Sequence, residues 1–148
     1  GTKPNMSLYN TQVAFSPDGA VLGVHHKYNL FGNEPKSFTA GDDVTTLSTP
    51  LGTTGMLICA DIYGSSALRS KLANTLKARV VAISSYWTVA GGVNSYQSYS
   101  QNWKVYTVVA NTTVGPGYGG GVYAPTGRPI AQVVKPSPSV VFGNIPLP

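Results

Sequence analysis

Two apolar runs constrain the fold of this chain more than any other feature. Gly-Met-Leu-Ile-Cys at 55–59 and Arg-Val-Val-Ala-Ile at 79–83 show little polar alternation, so each reads as a strand buried on both faces. Between them Leu68, Leu72 and Leu76 recur every fourth residue behind Ser65 and Ser66, two residues able to cap a helix. A strand, a helix of about twelve residues and a second strand make a βαβ unit. A sheet of that kind needs helices against it, which sets the expectation of an α/β layered fold.

The rest of the chain fits the same plan. Residues 12–16 and 20–26 are β-rich and flank Ser16-Pro17-Asp18-Gly19, a turn tetrad with proline and glycine where turns favour them, so a hairpin is expected. A loop rich in Asn, Gly and Pro follows from Tyr28 to about Asp43. A second helix is expected from Asn94 or Ser95 to about Lys104, then a strand over 105–110. Residues 121–124 and 129–134 flank Pro125-Thr126-Gly127-Arg128 as a second hairpin, and a last strand is expected at 140–142. No internal repeat or linker interrupts the pattern, and 148 residues suit one domain.

Composition excludes several classes. Charged residues make up only 10% of the chain, against roughly 25% in an ordinary soluble domain, while 42% hydrophobic residues suffice for a core. The net charge of +5 comes from ten Lys and Arg set against five acids. Those cations are scattered instead of forming a patch, which argues against a nucleic-acid partner. Cys59 is the single cysteine, so an internal disulfide or a multi-cysteine zinc site is excluded, and no metal site is expected. No apolar run reaches the roughly 18 residues of a membrane span. The string Gly115-Pro-Gly-Tyr-Gly-Gly120 matches a dinucleotide fingerprint in letters alone, because it precedes a strand and contains Pro116. The chain opens on Gly-Thr-Lys-Pro without an initiating Met, so it is expected to begin downstream of the translational start.

Several residues could carry chemistry. Cys59 lies between a buried strand and the segment Ala60-Asp61-Ile62-Tyr63-Gly64 that leads into a helix. A thiol at a strand–turn–helix junction can act as a nucleophile, and it can equally be a small buried hydrophobe. Lys27 closes a strand beside Tyr28, Leu30 and Phe31; it reads either as a desolvated partner for an oxyanion or as an exposed strand-end lysine. Glu34 is the only glutamate and follows Lys27 by seven residues, close enough in sequence to pair with it. His25 and His26 are adjacent and point to opposite faces of a strand, which spoils them as a metal pair. A thiol dyad of Cys59 with His26, in the manner of papain-like hydrolases, is a formal alternative. Tyr86 and Trp87 directly follow a buried strand, where groups that line a pocket tend to sit. Tyr96, Tyr99 and Trp103 are spaced for one helix face, in the core or at an interface. Asn5 and Asn111 head glycosylation triplets.

These segments, in order, resemble the nitrilase or carbon–nitrogen hydrolase superfamily, with the closest likeness to its biotinidase and pantetheinase (vanin) branch. The stretches that carry the likeness are Tyr9-Asn10-Thr11, then His26-Lys27-Tyr28-Asn29-Leu30-Phe31 with Glu34, and Thr49-Pro50-Leu51-Gly52. They continue with Gly55-Met-Leu-Ile-Cys59-Ala-Asp61-Ile, Tyr86-Trp87-Thr88, Val109-Ala110-Asn111-Thr112 and Gly120-Gly121-Val122-Tyr123-Ala124-Pro125.

The resemblance implies an αββα sandwich, of which residues 1–148 form a partial domain that carries the Lys and Cys positions, the C-terminal half. It implies a Glu–Lys–Cys triad that cleaves linear amides of small molecules without a cofactor. Cys59 is then the nucleophile that forms an acyl-enzyme, and Lys27 with the Ala60 N–H stabilises the oxyanion. Glu34 is the second, lysine-positioning glutamate, and Tyr86 and Trp87 line the substrate pocket. The family's general-base glutamate has no counterpart here, because Glu34 is already assigned. It is expected from an N-terminal segment or a partner chain. The branch further implies a secreted or extracellular glycoprotein, and the superfamily implies a homo-oligomer or larger assembly. The alternative is a non-catalytic structural or assembly protein on the same scaffold.

Overall fold

A computed structural model describes residues 7–148 of the chain. The first hairpin pairs β1 (Thr11–Phe15) with β2 (Val21–His26) in antiparallel register. Its turn closes through Gly19 at φ +86°, a left-handed conformation in which glycine escapes the Cβ penalty. A second sheet of six strands follows: β3 (Thr45–Thr49), β4 (Gly52–Ile58), β5 (Val80–Ser84), β6 (Tyr106–Ala110), β7 (Gly121–Tyr123) and β8 (Pro129–Gln132). They lie side by side in chain order.

The two apolar runs form adjacent parallel strands, with Leu57 beside Ile83 and Ile83 beside Val109 on β6. The crossover from β4 to β5 contains α1 (Ser66–Ser70), which continues as a wider π turn over Lys71–Thr75. The crossover from β5 to β6 contains α2 (Gly92–Trp103). Leu72, Tyr96 and Tyr99 of this helical layer are buried against Leu57, Val81, Ile83, Val109 and Tyr123 in one continuous core. Burial of that kind contributes about 1.5–3 kcal/mol for each large side chain. Tyr96 and Tyr99 are thus core residues, while Trp103 packs at the margin. Inside the core, Ser100 Oγ and Thr107 Oγ1 share a 2.7 Å hydrogen bond, so the polar side chains that α2 and β6 bury satisfy each other.

The opposite face of the sheet is covered unevenly. Met56 and Val80 are buried there, whereas Val108 on β6 is 38% exposed. The C-terminal segment runs across this face over β7 and β8, where a Cβ at Gly143 would come within 2.9 Å of Val122.

Two expectations from sequence are corrected, and one strand that the sequence hides is added. Residues 140–142 form no strand, because the segment lies over the face of the sheet instead of beside an edge, and Val140 and Phe142 are exposed. The long loop ends in β3, which pairs antiparallel with β4; its Thr-Thr-Leu-Ser-Thr sequence hides the strand behind polar residues. Ser65 occupies the N-cap position of α1 without any side-chain cap hydrogen bond. Among the described residues, no helix is long and apolar enough to cross a membrane.

Candidate active site

The site forms where the ends of β2 and β4 meet the end of β5. Strand β4 stops at Ile58, and the chain turns at once into a 3₁₀ turn over Cys59–Tyr63. Cys59 takes that corner with φ +46°, a left-handed conformation that costs a residue with a Cβ about 1–2 kcal/mol. The corner lifts a half-buried thiol out of the sheet edge. The N–H groups of Cys59 and Ala60 open the turn and find no acceptor inside it.

Lys27 follows the last residue of β2 and is only 3% exposed, so the reading of an exposed strand-end lysine is set aside. Its ammonium donates to Glu34 Oε2 at 2.6 Å. Glu34 begins a short 3₁₀ turn over Glu34–Lys36. It also accepts from the Phe31 N–H at 2.7 Å and from Asn10 Nδ2 at 3.0 Å. Burial alone would raise the carboxyl's pKa. The bonds from Lys27, the Phe31 N–H and Asn10, with the charge of Lys27, outweigh that effect and hold it below the ordinary glutamate range. Lys27 is therefore held in place by an ionised carboxylate that is itself fixed by two further donors.

Asp61 ties the two strand ends together. It is fully buried, and its carboxylate accepts four hydrogen bonds. Oδ1 takes the N–H groups of Tyr28 and Asn29 at 3.1 and 2.8 Å. Oδ2 takes His25 Nε2 at 2.9 Å and the Ile58 N–H at 2.8 Å. Two more bonds run between the same segments, from Tyr28 Oη to the Asp61 carbonyl and from Asn29 Nδ2 to the Ala60 carbonyl. The residues on both sides of Lys27 are thus stitched to the residues on both sides of Cys59. Sequence reasoning missed this role of Asp61, and also missed Asn10; both lay inside quoted motif stretches, but nothing local distinguished them.

Lys27, Glu34 and Cys59 line one cleft of about 450 Å³, together with Asn10, Phe31, Ser84, Ser85 and Tyr86. On its other side Cys59 borders a smaller hollow of about 180 Å³, walled by Phe31, Ala60, Tyr63, Tyr86, Trp87 and neighbouring residues. Trp87 is wedged between Tyr63 and Tyr96 at ring-centroid distances of 5.4 and 6.3 Å, and its backbone N–H donates to Asn111 Oδ1 at 2.8 Å. Tyr86 stands at the rim, 70% exposed.

The remaining candidates fall elsewhere. His26 stacks on Tyr9 and bonds Thr11 Oγ1 through Nδ1 at 2.9 Å, and neither cleft beside Cys59 includes it. Its ring is engaged with β1, which removes the dyad alternative. The Asn111 amide is already used within the fold: Nδ2 points to the carbonyls of Gly117 and Trp87 at 2.9 and 3.5 Å. Through these bonds and the one from the Trp87 backbone N–H, Asn111 clamps the loop after β5 to the glycine-rich segment. Asn5 lies outside the described residues. The glycine-rich segment at 115–120 packs against the loop after β5, where a Cβ on Gly117 would strike the Val89 carbonyl. Among the described residues, no three His, Cys, Asp or Glu side chains converge as metal ligands.

Comparison with known proteins accords with this architecture. A carbon–nitrogen hydrolase family model matches residues 2–148, so the match extends over the chain and is not confined to one part of it. Biotinidase of Rattus norvegicus is 44% identical over 55 residues, covering 36% of this chain and 11% of that protein. The omega-amidase of Mus musculus is 38% identical over 64 residues, covering 37% of this chain and 23% of that protein. Among solved structures, a Saccharomyces cerevisiae member of branch 10 of the nitrilase superfamily superimposes with TM-score 0.72 at 24% identity, over 84% of this chain and 49% of that one. A mutant amidase from Nesterenkonia sp., with the acetamide moiety of fluoroacetamide added covalently at its active-site cysteine, gives TM-score 0.71 at 21% identity, over 86% and 52%. The chain spans about half the length of these solved structures and less of the curated relatives.

Proposed function

The chain belongs to the carbon–nitrogen hydrolase family, and we propose that it carries the nucleophile and oxyanion-binding part of a thiol amidohydrolase acting on a linear amide. One observation carries this reading: Lys27, Glu34 and Cys59 line a single open cleft. The likeness to biotinidase and to omega-amidase, together with the adduct on the cysteine of the Nesterenkonia amidase, supports the same chemistry.

In the proposed reaction the Cys59 thiolate attacks the amide carbonyl carbon. The Lys27 ammonium and the Ala60 N–H hold the oxyanion that develops; preorganised donors of this kind contribute about 2.7–4 kcal/mol each. As the tetrahedral intermediate collapses, the C–N bond breaks and the amine leaves with a proton, so the acyl group stays on Cys59 as a thioester. Water then attacks the thioester carbonyl, releasing a carboxylic acid and the free thiol. Glu34 positions Lys27 through their 2.6 Å bond and does not touch the reacting atoms. Both steps need a general base. Glu34 is the only glutamate in the sequence and is bound to Lys27, so we assign the base to residues outside this chain, in an N-terminal segment or a partner chain.

The biotinidase-like and omega-amidase-like branches are supported to a similar degree. We favour the biotinidase type, and with it a secreted setting and an oligomeric assembly. The test is hydrolysis of a panel of small linear amides by the native protein with every chain that accompanies it, whose identities come from intact mass and N-terminal sequencing. Turnover that disappears in Cys59→Ala while the fold remains supports the reading. Hydrolysis retained in that variant contradicts it. A protein with an intact cleft, no accompanying base and no turnover would favour the structural or assembly role.

A further inference from the structure

The 3₁₀ turn over Cys59–Tyr63 contains the Ala60 N–H, the backbone donor to the oxyanion in the proposed reaction. A helix this short is marginal on its own, and 3₁₀ hydrogen bonds are poorly aligned. Its carbonyls are held from outside. Asn29 Nδ2 donates to the Ala60 carbonyl at 2.6 Å, Tyr28 Oη to the Asp61 carbonyl at 2.5 Å, and Arg69 Nη1 to the Ile62 carbonyl at 3.1 Å. Three consecutive carbonyls thus meet three side chains that lie 31, 33 and 7 residues away in the chain. Resting on the acyl-enzyme reading above, we propose that Asn29, Tyr28 and Arg69 are positioning residues that aim the Ala60 N–H at the oxyanion.

In a helical turn the peptide dipoles lie along the axis, with carbonyls toward one end and N–H groups toward the other. Fixing three successive carbonyls therefore fixes the direction in which the N–H groups open. Cys59 makes that control necessary. Its φ of +46° bends the chain next to the peptide unit that holds the Ala60 N–H, and a residue with a Cβ resists this conformation. A turn free to relax would carry the N–H off its line, whereas such a donor must stay within about 0.5 Å of its productive geometry. The supports are themselves fixed by packing. Gly64, which ends the turn, leaves the space in which Tyr28 and Asn29 pass beneath it. A Cβ there would strike the Tyr28 ring and come within 2.9 Å of the Asn29 Cβ. Arg69, half-buried on α1, holds its guanidinium 5.5 Å from the Trp103 ring centroid, a cation–π distance that restrains it. Tyr28 and Asn29 directly follow Lys27 in the chain. One short segment thus supplies the ammonium of the oxyanion site and two of the three supports for its N–H.

Two reactions of Cys59 separate a role at the oxyanion from a role in holding the thiol. With p-nitrophenyl hexanoate the thiolate adds to a carbonyl, an oxyanion forms, and p-nitrophenolate leaves to give the thioester. With iodoacetamide the same thiolate displaces iodide from a saturated carbon, and no oxyanion forms. Neither reaction needs a general base beyond the thiolate, so the chain as it exists serves. The nitrophenolate burst and the alkylation rate are measured side by side, with intact mass to locate each adduct. Asn29→Leu keeps the bulk of the side chain and removes the donor. It is expected to slow acylation about tenfold, a part of the 10²–10³-fold lost when an oxyanion donor is deleted outright, and alkylation by less than about twofold. Tyr28→Phe, which loses only the hydroxyl, and Arg69→Met, which keeps the stem, should show the same split at about threefold. These milder variants decide the matter if Asn29→Leu does not fold. Equal falls in both rates would make the three residues supports of the thiol alone. Unchanged acylation in the variants would make the Ala60 N–H independent of them. Either result overturns the proposal. Failure of the parent protein to be acylated at Cys59 would instead remove the nucleophile assignment, and the proposal with it.

Discussion

The ends of β2 and β4 meet at the same cleft but are built in opposite ways. At the end of β2, Lys27 is buried, its charge is met by Glu34, and Glu34 is met by Asn10 and the Phe31 N–H. At the end of β4, Cys59 sits in left-handed backbone with its thiol half-buried. One end is satisfied, and the other holds a residue in a conformation it would not choose. Asp61 makes the two compatible, because its four hydrogen bonds fix the backbone of both ends at once. A reactive group can be held off its preferred geometry when the polar groups around it are fully paired.

Removing Asp61 should break the comparison most severely. Asp61→Ala leaves buried His25 and the N–H groups of Tyr28, Asn29 and Ile58 without their acceptor, and the expected loss is roughly 3–5 kcal/mol of stability by urea unfolding. Asp61→Asn, which keeps an acceptor oxygen toward Tyr28 and Asn29, should lose less. Equal losses would mean that the carboxylate's charge and second oxygen contribute nothing.

A smaller effect is expected at Glu34. Its pKa is lowered in the folded protein, so it contributes stability above the unfolded glutamate value of about 4.3. That contribution is lost as pH falls through the lower, folded value. Glu34→Gln should therefore flatten the acid limb of the stability–pH curve. It should also slow Cys59 acylation, by about tenfold, because Lys27 loses its anchor. An unchanged acid limb would place the carboxylate's ionisation outside the folding equilibrium.

The smallest effect in stability belongs to Cys59 itself. Cys59→Gly removes the Cβ that makes φ +46° costly but loosens the unfolded chain. These opposing terms of about 1 kcal/mol each should leave the melting temperature nearly unchanged while thiol chemistry vanishes. A large destabilisation would mean that Cys59 is held mainly for packing.

The parts of this arrangement that are local were legible in the sequence. The Ser16–Gly19 turn, the paired apolar runs and the leucine period between them dictate the first hairpin and the βαβ unit, and the same punctuation put Cys59 at a strand end. What was not legible depends on contacts distant in the chain. Strand β3 is written in threonine and serine and becomes a strand only by pairing with β4. The segment at 140–142 has strand-like residues but no edge to pair with. Lys27 read more readily as an exposed strand-end lysine, and its burial depends on the loop carrying Glu34 folding back upon it. Asp61 meets partners 32, 33 and 36 residues away, a distance over which sequence spacing carries no signal.

The central claim is that Lys27 stabilises the oxyanion formed at Cys59, and one comparison tests it directly. The burst rate of thioester formation at Cys59 with p-nitrophenyl hexanoate should be measured in the parent protein and in Lys27→Met, which keeps the length and bulk of the side chain. A fall of about 10²–10³-fold, with the fold intact by circular dichroism, is the result this account predicts. Equal burst rates in the two proteins would contradict it.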